Sequence, residues 1–185
     1  GEIWDKRKNG DLHAKWLTIN TVLNHDGSIH RYVALFSDIT DKKRSEEVIW
    51  KQANFDALTD LPNRRMFLDR LQMEAKKSDR SRLSVGLLLI DLDQFKEVND
   101  TLGHAIGDNL LKEAALRICS CVRETDTVAR LGGDEFTVIL PGLADNSRVE
   151  SIAQKIISKL AEPFNLDNDL VYVSASVGIT LYPTD

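Results

Sequence analysis

From Leu12 to Leu23 apolar and polar positions nearly alternate, and Trp16, Thr18, Ile19 and Val22 add the β-branched and aromatic character of a strand. Asn24-His25-Asp26-Gly27 carries turn chemistry, and a second apolar run follows from Ile29 to Ile39. The pattern predicts an antiparallel hairpin over residues 1–40. A two-stranded hairpin is marginal in water, so its remaining partners are expected before residue 1. Thr40 is the expected N-cap of a helix over 41–54 that contains no Gly or Pro. Its apolar positions, Val48, Ile49 and Ala53 with Phe55 just beyond, make a stripe too thin for a core. That reads as a linker helix able to pair with a copy of itself.

A second region, 55–185, has a different texture. Asp60-Leu61-Pro62-Asn63 reads as a turn, with Asn63 capping a helix that places Phe67, Leu68, Leu71 and Ala75 on one face. Leu83 to Leu92 is almost continuously apolar, the mark of a strand buried on both faces. A helix is expected from near Asp108 to Arg123, with Leu110, Leu111, Ala114, Ile118 and Val122 inward. Two short strands, Thr127–Leu131 and Phe136–Leu140, flank Gly132-Gly133-Asp134-Glu135, a hairpin signal. Ser147 is expected to cap a helix to about Ala161, and Leu170–Leu181 to return as strand. Because a hairpin interrupts the alternation of strand and helix, the fold class is α+β. Helices flank a mixed or antiparallel sheet, which argues against a doubly wound parallel one.

Composition narrows the function classes. Hydrophobic residues are 42% of the 185, enough for a core, and 24 Lys and Arg against 29 Asp and Glu give a net charge of −5. An acidic chain is a poor non-specific ligand for nucleic acid or an anionic membrane. The longest apolar run, Val85 to Ile90, is far too short to span a bilayer, and no signal peptide opens the sequence. Cys119 and Cys121, two apart on a helix, do not make a zinc site. These features read as a cytoplasmic piece of a longer protein.

The acids need an explanation. Asp91 and Asp93 end the buried strand, where a carboxylate is costly unless paired or holding a cation, and positions two apart on a strand share a face. Asp134 and Glu135 sit at the tip of the two-glycine hairpin. If that hairpin lies beside Asp91, three or four acids meet at one sheet edge and suit Mg²⁺. The competing reading is a solvated turn. Gly132 and Gly133 would let backbone approach a phosphate, and Lys96 offers a point charge for one. Asn99 and Asp108 supply an amide and a carboxylate, the complement of the guanine Watson–Crick edge, although either residue taken singly reads better as a helix cap than as a ligand.

Arg130-Leu131-Gly132-Gly133-Asp134-Glu135-Phe136 resembles the signature of the GGDEF domain, the catalytic domain of diguanylate cyclases. Asp56-Ala57-Leu58-Thr59-Asp60-Leu61-Pro62-Asn63-Arg64 resembles the family's opening motif. Asp91-Leu92-Asp93-Gln94-Phe95-Lys96, Asn99, Gly103-His104 and Gly107-Asp108 resemble its metal- and guanine-binding stretch. The resemblance covers residues 53–185. It implies a palm-like sheet with flanking helices, and condensation of two GTP, one per subunit of a homodimer, into cyclic di-GMP and pyrophosphate. Asp91, the Leu92 carbonyl, Asp134 and Glu135 would hold Mg²⁺ or Mn²⁺, with Asp134 also accepting the proton. Asn99 and Asp108 would read guanine, His104 would line the nucleoside pocket, and Lys96, Gly132 and Gly133 would meet the phosphates. Arg123-Glu124-Thr125-Asp126 matches the family's RxxD product-inhibition motif, nine residues before Gly132. A plain helix-end salt bridge is the alternative for that pair.

Gly1-Glu2-Ile3-Trp4, Asn9-Gly10, Asp26-Gly27 and Ser37-Asp38-Ile39-Thr40 resemble, more loosely, the last strands of a PAS sensor domain. The sequence ends at Pro183-Thr184-Asp185, whereas family members continue through a helix carrying a Lys and an Arg for the triphosphate and then a last strand. Leu61-Pro62-Asn63-Arg64 and Ser176-Val177-Gly178-Ile179 also resemble GGDEF domains that precede an EAL phosphodiesterase domain. The rival function is therefore a non-catalytic GTP- or cyclic di-GMP-binding regulatory module.

Overall fold

The computed structural model describes residues 1–145, 147–167 and 169–184. By its internal contacts the chain divides into two units, Gly1–Gln52 and Ala53–Asp185. Among the described residues no helix is long and apolar enough to cross a membrane.

The first unit holds β1 (Glu2–Lys6), β2 (Leu12–Leu23) and β3 (Ile29–Asp38) in one antiparallel sheet, then most of α1 (Thr40–Asn54). The expected hairpin is β2–β3, turning at Gly27 with φ +82°. It gains a third strand inside the chain, because β1 pairs with β2 from Glu2↔Trp16 to Lys6↔Leu12. Thr40 is not the hydroxyl cap expected of it. It is the first helical residue, its N–H and hydroxyl both donate to Asp38 Oδ1 (3.0 and 2.6 Å), and its Oγ1 accepts from the Ala14 N–H. A charged carboxylate outcompetes a hydroxyl at the positive end of a helix.

The second unit is built on the antiparallel sheet β5-β6-β4-β9, formed by Thr127–Gly132, Glu135–Leu143, Ser84–Leu92 and Ala175–Tyr182. On β4, Leu88, Ile90 and Leu92 point into the main core with α4 (His104–Cys121) and α5 (Ser147–Leu160), joined by Phe136, Val138 and Leu140 of β6. The other face carries Val85, Ile139 and Ala129, which pack with Phe67 of α2 (Arg64–Ser81). Asn63 caps α2 as expected, its Oδ1 accepting from the Arg65 and Met66 N–H groups. Leu68, expected on the buried face of α2, is 54% exposed.

Three further elements differ from the sequence-based expectation. β4 is not buried on both faces throughout: Leu89 is 49% exposed and Asp91 is exposed. A separate helix α3 (Phe95–Leu102) precedes α4, and α4 starts at His104, four residues before Asp108. The expected strand 170–181 divides into β8 (Asp169–Val171), which pairs with β7 (Phe164–Leu166), and β9. Ser147 repeats the lesson of Thr40, donating its N–H and hydroxyl to Asp145.

Candidate active site

The site occupies the α2 face of the sheet, where the second half of β4 runs clear of the Phe67 cluster. Antiparallel register sets Asp91 opposite Glu135 on β6 and opposite Ser176 on β9, and directly opposed residues share a face. A cavity of about 450 Å³ opens there, lined by Leu89, Asp91, Leu131, Glu135, Ser176 and Gly178 among others. Its lining is largely apolar, with Asp91 and Glu135 as its acids. The β5–β6 hairpin closes through Gly132 (φ +143°) and Gly133 (φ +54°). A Cβ at either position would meet nothing within 4 Å, so glycine is required there for backbone conformation and not for room.

Burial, and then the negative charges of Asp134, Asp93 and Glu135, push the Asp91 carboxyl above its ordinary value. Among the described residues, no ion pair relieves Asp91, Asp134 or Glu135. Asp93 behaves differently. It lies one residue past β4, accepts from Ser174 Oγ (2.6 Å) and Ser176 Oγ (2.8 Å), and those hydrogen bonds hold its carboxyl below the usual range. The serines come from 81 and 83 residues away, and no local pattern announces them.

The unrelieved acids fit a hard divalent cation in donor chemistry: all oxygen, all anionic, with no competing basic side chain. Among the described residues no three such groups stand close enough to form a ready three-ligand cage.

Arg130 holds the hairpin in place, a role not assigned from sequence. Its Nε and Nη2 donate to the Gly133 carbonyl (3.0 and 2.7 Å), and its Nη1 donates to Asp56 Oδ1 at 2.9 Å. Burial pushes the Asp56 carboxyl up, but the Thr59 hydroxyl, the Arg130 guanidinium and the Thr59 N–H together hold it below the usual range. The Arg130 N–H also donates to the Pro62 carbonyl. The opening motif is thereby bonded to the turn that carries Asp134. The signal available in sequence was an arginine two residues before a Gly-Gly turn, with an Asp-x-x-Thr turn elsewhere to receive it.

Lys96 is exposed in the first turn of α3 and has no ion-pair partner among the described residues. His104 opens α4 after Gly103, and Asp108 is exposed within α4, too far inside to cap it. Asn99 on α3 lies against Gly107 of α4, where a Cβ would sit 2.0 Å from Asn99 Oδ1. The amide and the position before Asp108 are thus in contact.

Of the RxxD pair, Arg123 is exposed while Asp126 is buried. Asp126 makes no side-chain pair with Arg123. It accepts from the Arg123 backbone N–H (2.9 Å) and, through both oxygens, from Arg148 Nη2 (2.9 Å each). Cys119 and Cys121 are free thiols on α4, with Cys119 pushed up by burial and by its neighbour Cys121.

Residues 53–185 match the model of the family described as diguanylate cyclase, GGDEF domain. The diguanylate cyclase TpbB of Pseudomonas aeruginosa is 47% identical over 133 residues, covering 71% of this chain and 31% of that protein. The cyclic di-GMP phosphodiesterase PdeR of Escherichia coli is 39% identical over 162 residues, covering 86% of this chain and 24% of its own. The chain therefore spans less than a third of the length of these curated relatives. Among solved structures, the coiled coil and GGDEF domain of DgcB from Caulobacter crescentus, in complex with c-di-GMP, superposes with a TM-score of 0.71. It is 26% identical, covering 77% of this chain and 76% of that one.

Proposed function

This chain belongs to the GGDEF domain family of diguanylate cyclases, and on that premise we propose that its protein condenses two GTP into cyclic di-GMP with release of pyrophosphate. The observation that carries the reading is the set of unrelieved acids: Asp91 and Glu135 line the cavity, and Asp134 of the two-glycine turn lies near enough to push the Asp91 carboxyl up. Asp91, the Leu92 carbonyl, Asp134 and Glu135 hold Mg²⁺ or Mn²⁺. When bound, such ions lower the pKa of an attacking 3′-hydroxyl and neutralise phosphate charge. Asp134 accepts the proton of that hydroxyl. Gly132 and Gly133 admit the phosphates to the backbone, and Lys96 meets them from α3. The Asp108 carboxylate accepts from the guanine N–H donors, the Asn99 amide donates to the base, and His104 borders the nucleoside. Arg130, through Gly133, keeps the turn where Asp134 can act. Each domain holds one GTP, so the reaction needs a homodimer. Residues 1–40 are the end of a PAS-type sensor, and α1 joins it to the catalytic region. Product inhibition acts at the groove of Arg123 and Asp126.

One observation favours a second reading, a GTP- or cyclic di-GMP-binding regulatory module beside an EAL domain: a relative as similar as PdeR is named a phosphodiesterase. Incubation of the full-length protein with GTP and Mg²⁺, followed by chromatography, separates the two. Cyclic di-GMP should form, and Asp134→Ala should abolish it while leaving the circular dichroism spectrum unchanged. GTP binding without any turnover would establish the regulatory reading, and a well-folded Asp134→Ala protein with substantial activity would remove Asp134 from the chemistry.

A further inference from the structure

Asp91 and Asp93 stand two positions apart at the end of β4, and the fold treats them oppositely. The β4–β9 register, Asp91↔Ser176 and Leu92↔Ala175, runs one residue beyond the strand, because the Asp93 N–H donates to the Ser174 carbonyl at 3.0 Å. Ser176 is thus directly opposite Asp91. A serine has one hydroxyl proton to give. Ser176 gives its proton diagonally, to Asp93 Oδ1 at 2.8 Å, and Ser174 gives its own to Asp93 Oδ2 at 2.6 Å. Each oxygen of Asp93 therefore has a serine, while the Asp91 side chain has neither hydrogen bond nor ion pair among the described residues. The turn that these bonds hold is otherwise poorly secured. Gln94 lies in the left-handed region (φ +63°) without being glycine, and its side chain makes no capping bond to α3. Leu92 stands on one side of this turn and Lys96 on the other.

We propose that Ser174 and Ser176 are positioning residues that divide the two carboxylates between tasks. They commit Asp93 to clasping the β4–α3 turn, which leaves Asp91 to the cation and sets the Leu92 carbonyl and Lys96 for the triphosphate. The proposal rests on the reading of the site as one for GTP and Mg²⁺. Without its serines, Asp93 becomes a second unsatisfied anion beside Asp91, which adds repulsion there and releases the turn. The clasp does not need the charge of Asp93. An amide at this position accepts one serine hydroxyl through its oxygen and donates to the other serine through its nitrogen, since a hydroxyl serves either way. Asparagine therefore separates a clasp from a cation ligand, where the lost negative charge is felt.

Calorimetric titration of the full-length protein with 3′-deoxy-GTP at fixed Mg²⁺ tests this, because that nucleotide lacks the attacking hydroxyl and binds without turnover. Asp93→Asn should bind within about threefold of the unmodified protein and need no more Mg²⁺ for half-maximal cyclic di-GMP synthesis. Asp93→Ala and the double variant Ser174→Ala/Ser176→Ala should each bind roughly tenfold more weakly or worse. Ser176→Ala alone frees one oxygen of Asp93 and should fall between. If Asp93→Asn loses as much as Asp93→Ala and needs more Mg²⁺, Asp93 is itself a cation ligand and the proposal is overturned. It is equally overturned if the double serine variant binds like the unmodified protein, or if that variant loses its thermal transition and the serines serve only the fold. An unmodified protein that does not bind 3′-deoxy-GTP would instead remove the nucleotide reading of the site, and this proposal with it.

Discussion

Gly107 is the residue on which base recognition turns. It stands in the first turn of α4, where glycine is a poor helix former, and a Cβ there would collide with the Asn99 amide at 2.0 Å. Gly107→Ala should therefore spare the fold and push Asn99 off its position beside Asp108. GTP affinity should fall by roughly 1 kcal/mol, one hydrogen bond, while ATP affinity barely changes. Paired titrations with both nucleotides measure this, and equal losses would deny Asn99 a role at the base. The sequence left Asp108 open as a helix cap. The structure removes that option by starting α4 four residues earlier, at a position that Gly103 and Gly107 disguise as loop. Asp93 shows the opposite limit. Its pairing with Asp91 on one strand was legible, but its commitment to Ser174 and Ser176 depends on a neighbouring strand.

At the scale of elements, long patterned segments were readable and short ones were not. The helices α2 and α5, the strand β4 and the β5–β6 hairpin all follow from periodicity and turn residues. The eight-residue α3 and the three-residue strands β7 and β8 are too brief to carry a period, and tertiary contacts decide them. Arg117 is one such contact. From α4 its guanidinium donates to the carbonyls of Lys159, Glu162 and Pro163, and it lies 3.6 Å over the Phe164 ring. It thereby satisfies carbonyls at the end of α5 and seats the start of β7. Lys at this position offers a point charge without the fork, so Arg117→Lys should cost about 2 kcal/mol of stability in urea titrations. A loss under about 0.5 kcal/mol would class these contacts with ordinary surface pairs.

At the scale of the whole molecule, the two units are unequal in what they bury. Residues 53–185 hold both hydrophobic clusters, with Phe136, Phe164, Leu88 and Ile118 fully enclosed. In residues 1–52 the buried positions are His13, Ala14 and Thr40 alone, while Trp4, Trp16, Ile19, Tyr32, Leu35 and Phe36 are all exposed. The sequence showed strands in this region but not that neither face of their sheet would be covered. Such a sheet keeps its ladder of backbone bonds with little apolar burial behind it, and three strands become stable by sealing a face. Local opening should therefore cost far less in β2 and β3 than in β4 and β6, where opening requires breaking the main core. Hydrogen exchange followed by mass spectrometry on this chain should show the β2 and β3 amides exchanging orders of magnitude faster than those of Leu88, Ile90 and Val138. Heating should give one cooperative transition belonging to residues 53–185, and deletion of residues 1–52 should leave its midpoint within a few degrees. Equal protection in the two sheets would show that the first unit is covered in solution, and would place its stability in an association that the exposed tryptophans and Phe36 supply.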